Sequence, residues 1–165
     1  MRISFLLLFL FLSNTFFSQV LINEVSNKNA TQIQNAKGEY EDWIELYKKL
    51  VHWEIQLESI SDIGMTEILE SQKEEANSQF YKFIKNNYSD WFHGDDKPIL
   101  SHTLFKDVIA PTIEKDPGTL LVVIDNLRYD QLRVLEPIIS EYYKSIDEKA
   151  FFSILPTATQ YARNA

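Results

Sequence analysis

The sequence predicts an α/β domain in its last third, preceded by a helical segment, on three observations. Leu120-Leu121-Val122-Val123-Ile124 is a continuous apolar run, as a strand buried on both faces of a parallel sheet requires. Tyr129 to Tyr143 then carries a helical pattern and is followed by a second apolar run, Phe151-Phe152-Ser153-Ile154-Leu155. Strand, helix, strand is the alternation that builds α/β layers. Upstream, between Trp43 and Ile60, apolar residues recur three and four apart, the period of a helix with one buried stripe.

The chain opens with Met1-Arg2, continues as unbroken Phe and Leu from Phe5 to Leu12, and turns polar from Ser13 to Gln19. A short basic start, an apolar run and a cleavage region are the layout of a secretory signal. The run is too short for a transmembrane helix, which needs about 20 apolar residues. Residues 1–19 are therefore expected to be a signal peptide; the alternative is a buried N-terminal strand or helix. Val20 to Val25 follows as a short strand pattern, and Ser26 to Gly38 is polar.

Trp43, Leu46, Leu50, Trp53, Leu57 and Ile60 fall on one helical stripe, with Glu45, Lys48, Lys49 and Glu58 largely off it. Ser61-Asp62 and Gly64 mark a turn. Thr66 to Asn87 reads as a second helix with a charged front half, Glu70 to Glu75, and an apolar face resuming at Phe80, Phe83 and Ile84. Asn86 to Pro98 is a loop. Ser101 suits the cap of a short third helix running from about Thr103 to around Pro111. Asp116-Pro117-Gly118 is the turn that opens the α/β part; Asp125-Asn126 ends its first strand and Pro156 its second.

Bulk properties narrow the function. The 165 residues suffice for one domain or two small ones with a real core. A net charge of -8 repels phosphate backbones, so nucleic-acid binding by charge is disfavoured. No cysteine is present, which excludes disulfides and thiolate metal sites.

Ligands of open α/β sheets collect beyond the carboxyl ends of the strands. Asp125 follows the first strand and Thr159 the second. A carboxylate there can bind a divalent cation, and a hydroxyl at a helix start can approach the same ion and attack phosphorus. The competing reading is that both residues only cap the helices they precede. His52, His93 and His102 all lie upstream and read as surface or packing residues. Asp90 with Asp95-Asp96 lacks the alternating ligands and terminal Glu of an EF-hand, so it reads as a solvated loop.

Leu121-Val122-Val123-Ile124-Asp125-Asn126-Leu127-Arg128-Tyr129-Asp130-Gln131, followed by Phe152-Ser153-Ile154-Leu155-Pro156-Thr157-Ala158-Thr159-Gln160-Tyr161-Ala162-Arg163-Asn164-Ala165, resembles the start of a PglZ domain, a member of the alkaline-phosphatase superfamily. The helical stretch, with Glu67 to Phe80 and Ser101 to Asp107, is similar to the middle region of PorX-type response regulators, in which a receiver domain, a helical middle and a PglZ domain follow one another. The resemblance implies an alkaline-phosphatase-like parallel sheet. It implies a metal-dependent phosphatase or phosphodiesterase holding two metal ions, usually Zn2+. By position Asp125 matches a metal-ligating Asp and Thr159 the metal-bound nucleophile, with Thr157 the weaker choice. It also implies phosphate-ester or oligonucleotide substrates, a sensor kinase or secretion regulators as partners, and a link to type IX secretion control in Bacteroidetes. The family's remaining Asp and His ligands lie farther downstream than these motifs. The sequence is thus expected to carry an incomplete domain that does not hold zinc stably. The receiver domain has no counterpart here.

The front end is similar to something else. Val20-Leu21-Ile22-Asn23-Glu24-Val25 and Gly38 to Tyr47 resemble the opening of a lamin-tail domain, an Ig-like sandwich of exported bacterial proteins. Such a sandwich needs about seven strands, yet the helical pattern begins at once. A composite sequence joined near Glu41 to Tyr47 is one expectation, since a signal peptide points to export and a response regulator to the cytoplasm. The expected organisation is a signal peptide at 1–19, a lamin-tail-like fragment at 20–47, a helical regulatory segment at 48–115 and the N-terminal part of a PglZ domain at 116–165. Against the phosphatase reading stand an exported, non-catalytic lamin-tail-like binding module and a helical interaction fragment with an inert α/β part.

Overall fold

The computed structural model describes residues 7–11, 39–58, 63–116 and 118–162. The chain divides into two compact units, residues 15–97 and residues 1–14 with 98–165.

The helical unit holds α1, Tyr40–Glu58, and α2, Ile63–Asn87, which pack on each other. Burial on α1 follows the expected stripe at Trp43, Leu46, Leu50 and Leu57, with Val51 added and Trp53 only half-buried. Ile60, Ser61 and Asp62 lie outside the described residues, and Gly64 belongs to α2, not to a turn. The facing stripe of α2 is Leu69, Lys73, Ala76 and Phe83, spaced four, three and seven apart. Its charged front half thus does carry a buried face, with one charge in it. Lys73 is 6% exposed and its Nζ donates to Glu54 Oε1 of α1 at 3.1 Å. An ammonium out of water needs such a partner. At the carboxyl end of α2 the rings of Trp43, Phe80, Phe83 and Trp91 pack at centroid distances of 5.3 to 5.8 Å. A single helical turn, Asp90–Phe92, supplies Trp91, and Asp90 O accepts from the N–H groups of His93 and Gly94. The Asp90 to Asp96 loop is otherwise exposed apart from Trp91 and the half-buried Gly94, as a solvated loop should be.

The second unit begins, among described residues, with β1, Leu7–Phe11, and resumes with a longer helical stretch than expected. It consists of α3, Ser101–Leu104, a π-helical turn, Phe105–Ile109, and α4, Ala110–Lys115. Pro111 does not end it. The wide turn, closed by Ala110 N–H to Phe105 O, comes just before the residue that lacks an N–H, and Thr112 Oγ1 donates to Val108 O at 2.8 Å. Ser101 does not cap the helix; its Oγ accepts from Ile154 N–H at 3.2 Å.

Then come α5, Tyr129–Ser140, β2, Glu148–Phe152, and α6, Thr159–Ala162. β1 and β2 pair in parallel, from Leu7 opposite Glu148 to Phe11 opposite Phe152. Leu100 bridges Phe152 on the other side of β2, where Phe152 N–H donates to Ile99 O at 2.8 Å. The core beneath is Phe151 with Leu104 and Ile109, and Ile99, Val108, Ile113 and Leu121 pack against it.

The α/β expectation is thus met only in part, and two strands differ. Leu120 to Ile124 forms no strand; Leu120 is 61% and Ile124 51% exposed. A strand needs a neighbour for its backbone groups, and the partners seen on β2 are β1 and Ile99–Leu100. β2 lies earlier than the run Phe151 to Leu155. The chain leaves the ladder after Phe152 because the N–H of Ile154 is taken by Ser101 Oγ. Leu7–Phe11 lies within the stretch read as a signal peptide and takes the strand form that was the alternative there. The rest of residues 1–19, and Val20 to Gly38, lie outside the described residues.

Candidate functional site

Asp125 and Asn126 form a turn between the Leu120–Ile124 segment and α5. Asn126 has φ 62°, in the left-handed region, which Asn tolerates better than other residues with a Cβ. Asp125 is exposed, three residues before the α5 N-cap, Arg128. The helix start is tied locally. Gln131 Oε1 accepts from Arg128 N–H at 3.1 Å, and the Arg128 guanidinium grips Asp130 through two bonds of 2.9 and 2.5 Å. That guanidinium holds the Asp130 carboxyl below its ordinary value.

Thr159 is the first residue of α6. It follows the loop from Ser153 through the cis Leu155–Pro156 peptide. Of the two residues, Thr159 sits at a helix start, while Asp125 lies in the turn three residues before the α5 N-cap. Asp125 follows an apolar segment that is not a strand, so of the two only Thr159 stands beyond the end of a formed strand. Thr157 lies in the loop between, half-buried.

Sequence reasoning missed a connected polar cluster of this unit. Glu148, at the start of β2, accepts from Tyr129 Oη at 3.4 Å and pairs with the Arg133 guanidinium. Arg133 also binds Glu136 at 2.5 Å, and its Cζ lies 4.5 Å from the centre of the Tyr129 ring. Burial, with Glu148 beside it, pushes the Tyr129 phenol up to about 12. The four-residue spacing of Tyr129 and Arg133 puts them on one helical face and was legible. Their acceptor fifteen residues beyond Arg133 was not. The cluster fastens α5 to β2.

The donors present do not by themselves make a metal site. Among the described residues no three His, Asp or Glu side chains converge, whereas a zinc centre draws on about three or four protein ligands. Asp125 supplies one hard oxygen from an exposed turn. His52, His93 and His102 are all exposed, and the His52 ring lies edge-on to Trp53 at 5.2 Å. Among the described residues no helix is long and apolar enough to cross a membrane.

Two family models match the chain. One, the PorX response regulator linker domain, covers residues 26–92. The other, the BREX system PglZ alkaline phosphatase-like domain, covers residues 104–165 and so takes in both Asp125 and Thr159. Neither is a lamin-tail domain, and the linker match includes the Gly38 to Tyr47 stretch on which that resemblance was read. No curated protein matches. The chain belongs with the PorX-type proteins, in which a response-regulator linker is followed by a PglZ alkaline-phosphatase-like domain.

Proposed function

We propose that residues 104–165 supply the opening part of a metal-dependent phosphatase or phosphodiesterase site acting on phosphate esters or oligonucleotides, with Asp125 as a metal ligand and Thr159 as the nucleophile. The observation that carries this is the PglZ match spanning both residues. The place of Thr159 at the start of α6 supports the nucleophile assignment, because helix starts favour bound anions. The linker match supports a regulatory setting, with phosphorylation by a sensor kinase and control of type IX secretion as the output. The signal-like start, residues 1–19, favours export instead, and the regulator reading favours the cytoplasm. The linker match, which outweighs a compositional pattern, favours the regulator.

Because no three ligands converge among the described residues, zinc is expected to bind this chain weakly. A competition titration against a zinc-chelating dye, run on the chain and on Asp125→Ala, tests the ligand assignment. Weak binding that weakens further in the variant is the expected result. Binding unaffected by the substitution would remove Asp125 from the site, and a tight stoichiometric site in the parent would contradict the weak-binding expectation.

A further inference from the structure

We propose that Leu7–Phe11 and Leu120–Ile124 are alternative partners for the same edge of β2, so that the N-terminal segment holds the second unit in a form with its Asp125-bearing strand displaced. Three observations lead there. β2 has two edges. Phe152 is opposite Phe11 on one and Leu100 on the other, and among the described residues the second is touched only near its carboxyl end. The edge available along its whole length is therefore the one that β1 fills, in parallel, over five residues.

Leu120–Ile124 is the second observation. It is rich in β-branched residues, uncharged, in no helix and outside any ladder among the described residues, with Val123 59% exposed. Such a run in water is a strand without a neighbour. It is also already at hand, since Leu121 packs against the cluster that contains Phe151 of β2.

Chain geometry is the third. A strand, a crossover of a dozen or more residues containing a helix, and a second strand close as a parallel pair. Residues 125–147, with α5 inside them, are such a crossover from Leu120–Ile124 to β2. The segment present on the β2 edge, Leu7–Phe11, is likewise wholly apolar and of the same length, with Leu and Phe in place of Leu, Val and Ile. Two five-residue apolar segments thus suit one parallel edge, and only one can occupy it. In the alternative pairing Asp125 would stand at the carboxyl end of the sheet, beside the loop that leaves β2 for Thr159. That functional consequence rests on the site proposed above; the exchange of strands does not.

Hydrogen–deuterium exchange read by mass spectrometry on the full chain tests the exchange without metal or substrate. The perturbation is the double substitution Phe9→Pro/Leu10→Pro. Successive N–H groups of a strand point to opposite sides, so an adjacent pair of prolines removes a donor towards β2 in either phase. In the parent, residues 148–152 should be protected and 120–124 should exchange fast. In the variant, 120–124 should slow by about tenfold or more while 148–152 stay protected. Adding Val122→Pro/Val123→Pro should abolish the gain. The proposal fails if 120–124 are already protected in the parent. It fails equally if they stay fast in the variant, whether or not 148–152 keep their protection.

Discussion

Asn126 concentrates the local strain of the candidate site in one residue. Its φ of 62° costs a β-branched side chain about 1–2 kcal/mol and costs glycine nothing. Asn126→Gly should therefore melt with the parent, and Asn126→Val should lose about 1–2 kcal/mol in urea denaturation. Equal stability of the Val variant would mean that the turn relaxes and does not fix Asp125. Tyr129 makes the second prediction at this scale. Burial beside Glu148 favours its neutral phenol, so its contribution is complete below the ordinary value of 10.0 and is lost as pH rises through about 12. Unfolding free energies followed through that window should fall less steeply for Tyr129→Phe than for the parent. Tyr40, also raised to about 12, is unchanged in both and leaves a common residual slope. Identical slopes would show that the Tyr129–Glu148 contact does not exist in solution.

Among the elements, α1 and α2 show how far periodicity reaches. The α1 stripe was legible because Trp43, Leu46, Leu50 and Leu57 are strongly apolar. The α2 stripe was half hidden, since Lys73 and Ala76 occupy core positions without looking like core. No pattern of one helix can show that Lys73 finds Glu54 on the other. Removing Glu54 takes the 3.1 Å partner from a nearly buried ammonium and leaves the more exposed Glu70 carboxylate at 4.0 Å. Glu54→Ala should cost about 1–3 kcal/mol, discounted because Glu54 keeps some solvent, whereas Lys73→Met should be neutral or stabilising. Denaturant titration followed by tryptophan fluorescence decides it; equal costs for the two variants would contradict the account. Strand prediction failed for a different reason. An apolar run states that a segment wants to be buried, and it does not state which neighbour is free. Leu120 to Ile124 reads as a strand by composition, but the β2 edge carries Leu7–Phe11. Likewise Pro111 reads as a helix stop, and one wide turn before it lets the helix continue.

At the scale of the molecule, the two compact units correspond to the two family matches: residues 15–97 contain the linker match at 26–92, and the second unit contains the PglZ match at 104–165. The switch of period read at Asp116-Pro117-Gly118 lies downstream of both the unit boundary at 97/98 and the start of the PglZ match at 104, whereas the motifs around Asp125 and Thr159 were legible. The polar cluster of Tyr129, Arg133 and Glu148 was not, because its members meet only once α5 lies against β2. The central claim is that Asp125 and Thr159 belong to one cation site. The direct measurement is a zinc titration followed in the amide NMR spectrum of the full chain. The account predicts that the signals of Asp125 and Thr159 and their immediate neighbours shift together along one weak binding curve. Shifts confined to the surroundings of His52, His93 and His102, with Asp125 and Thr159 unmoved, would contradict it.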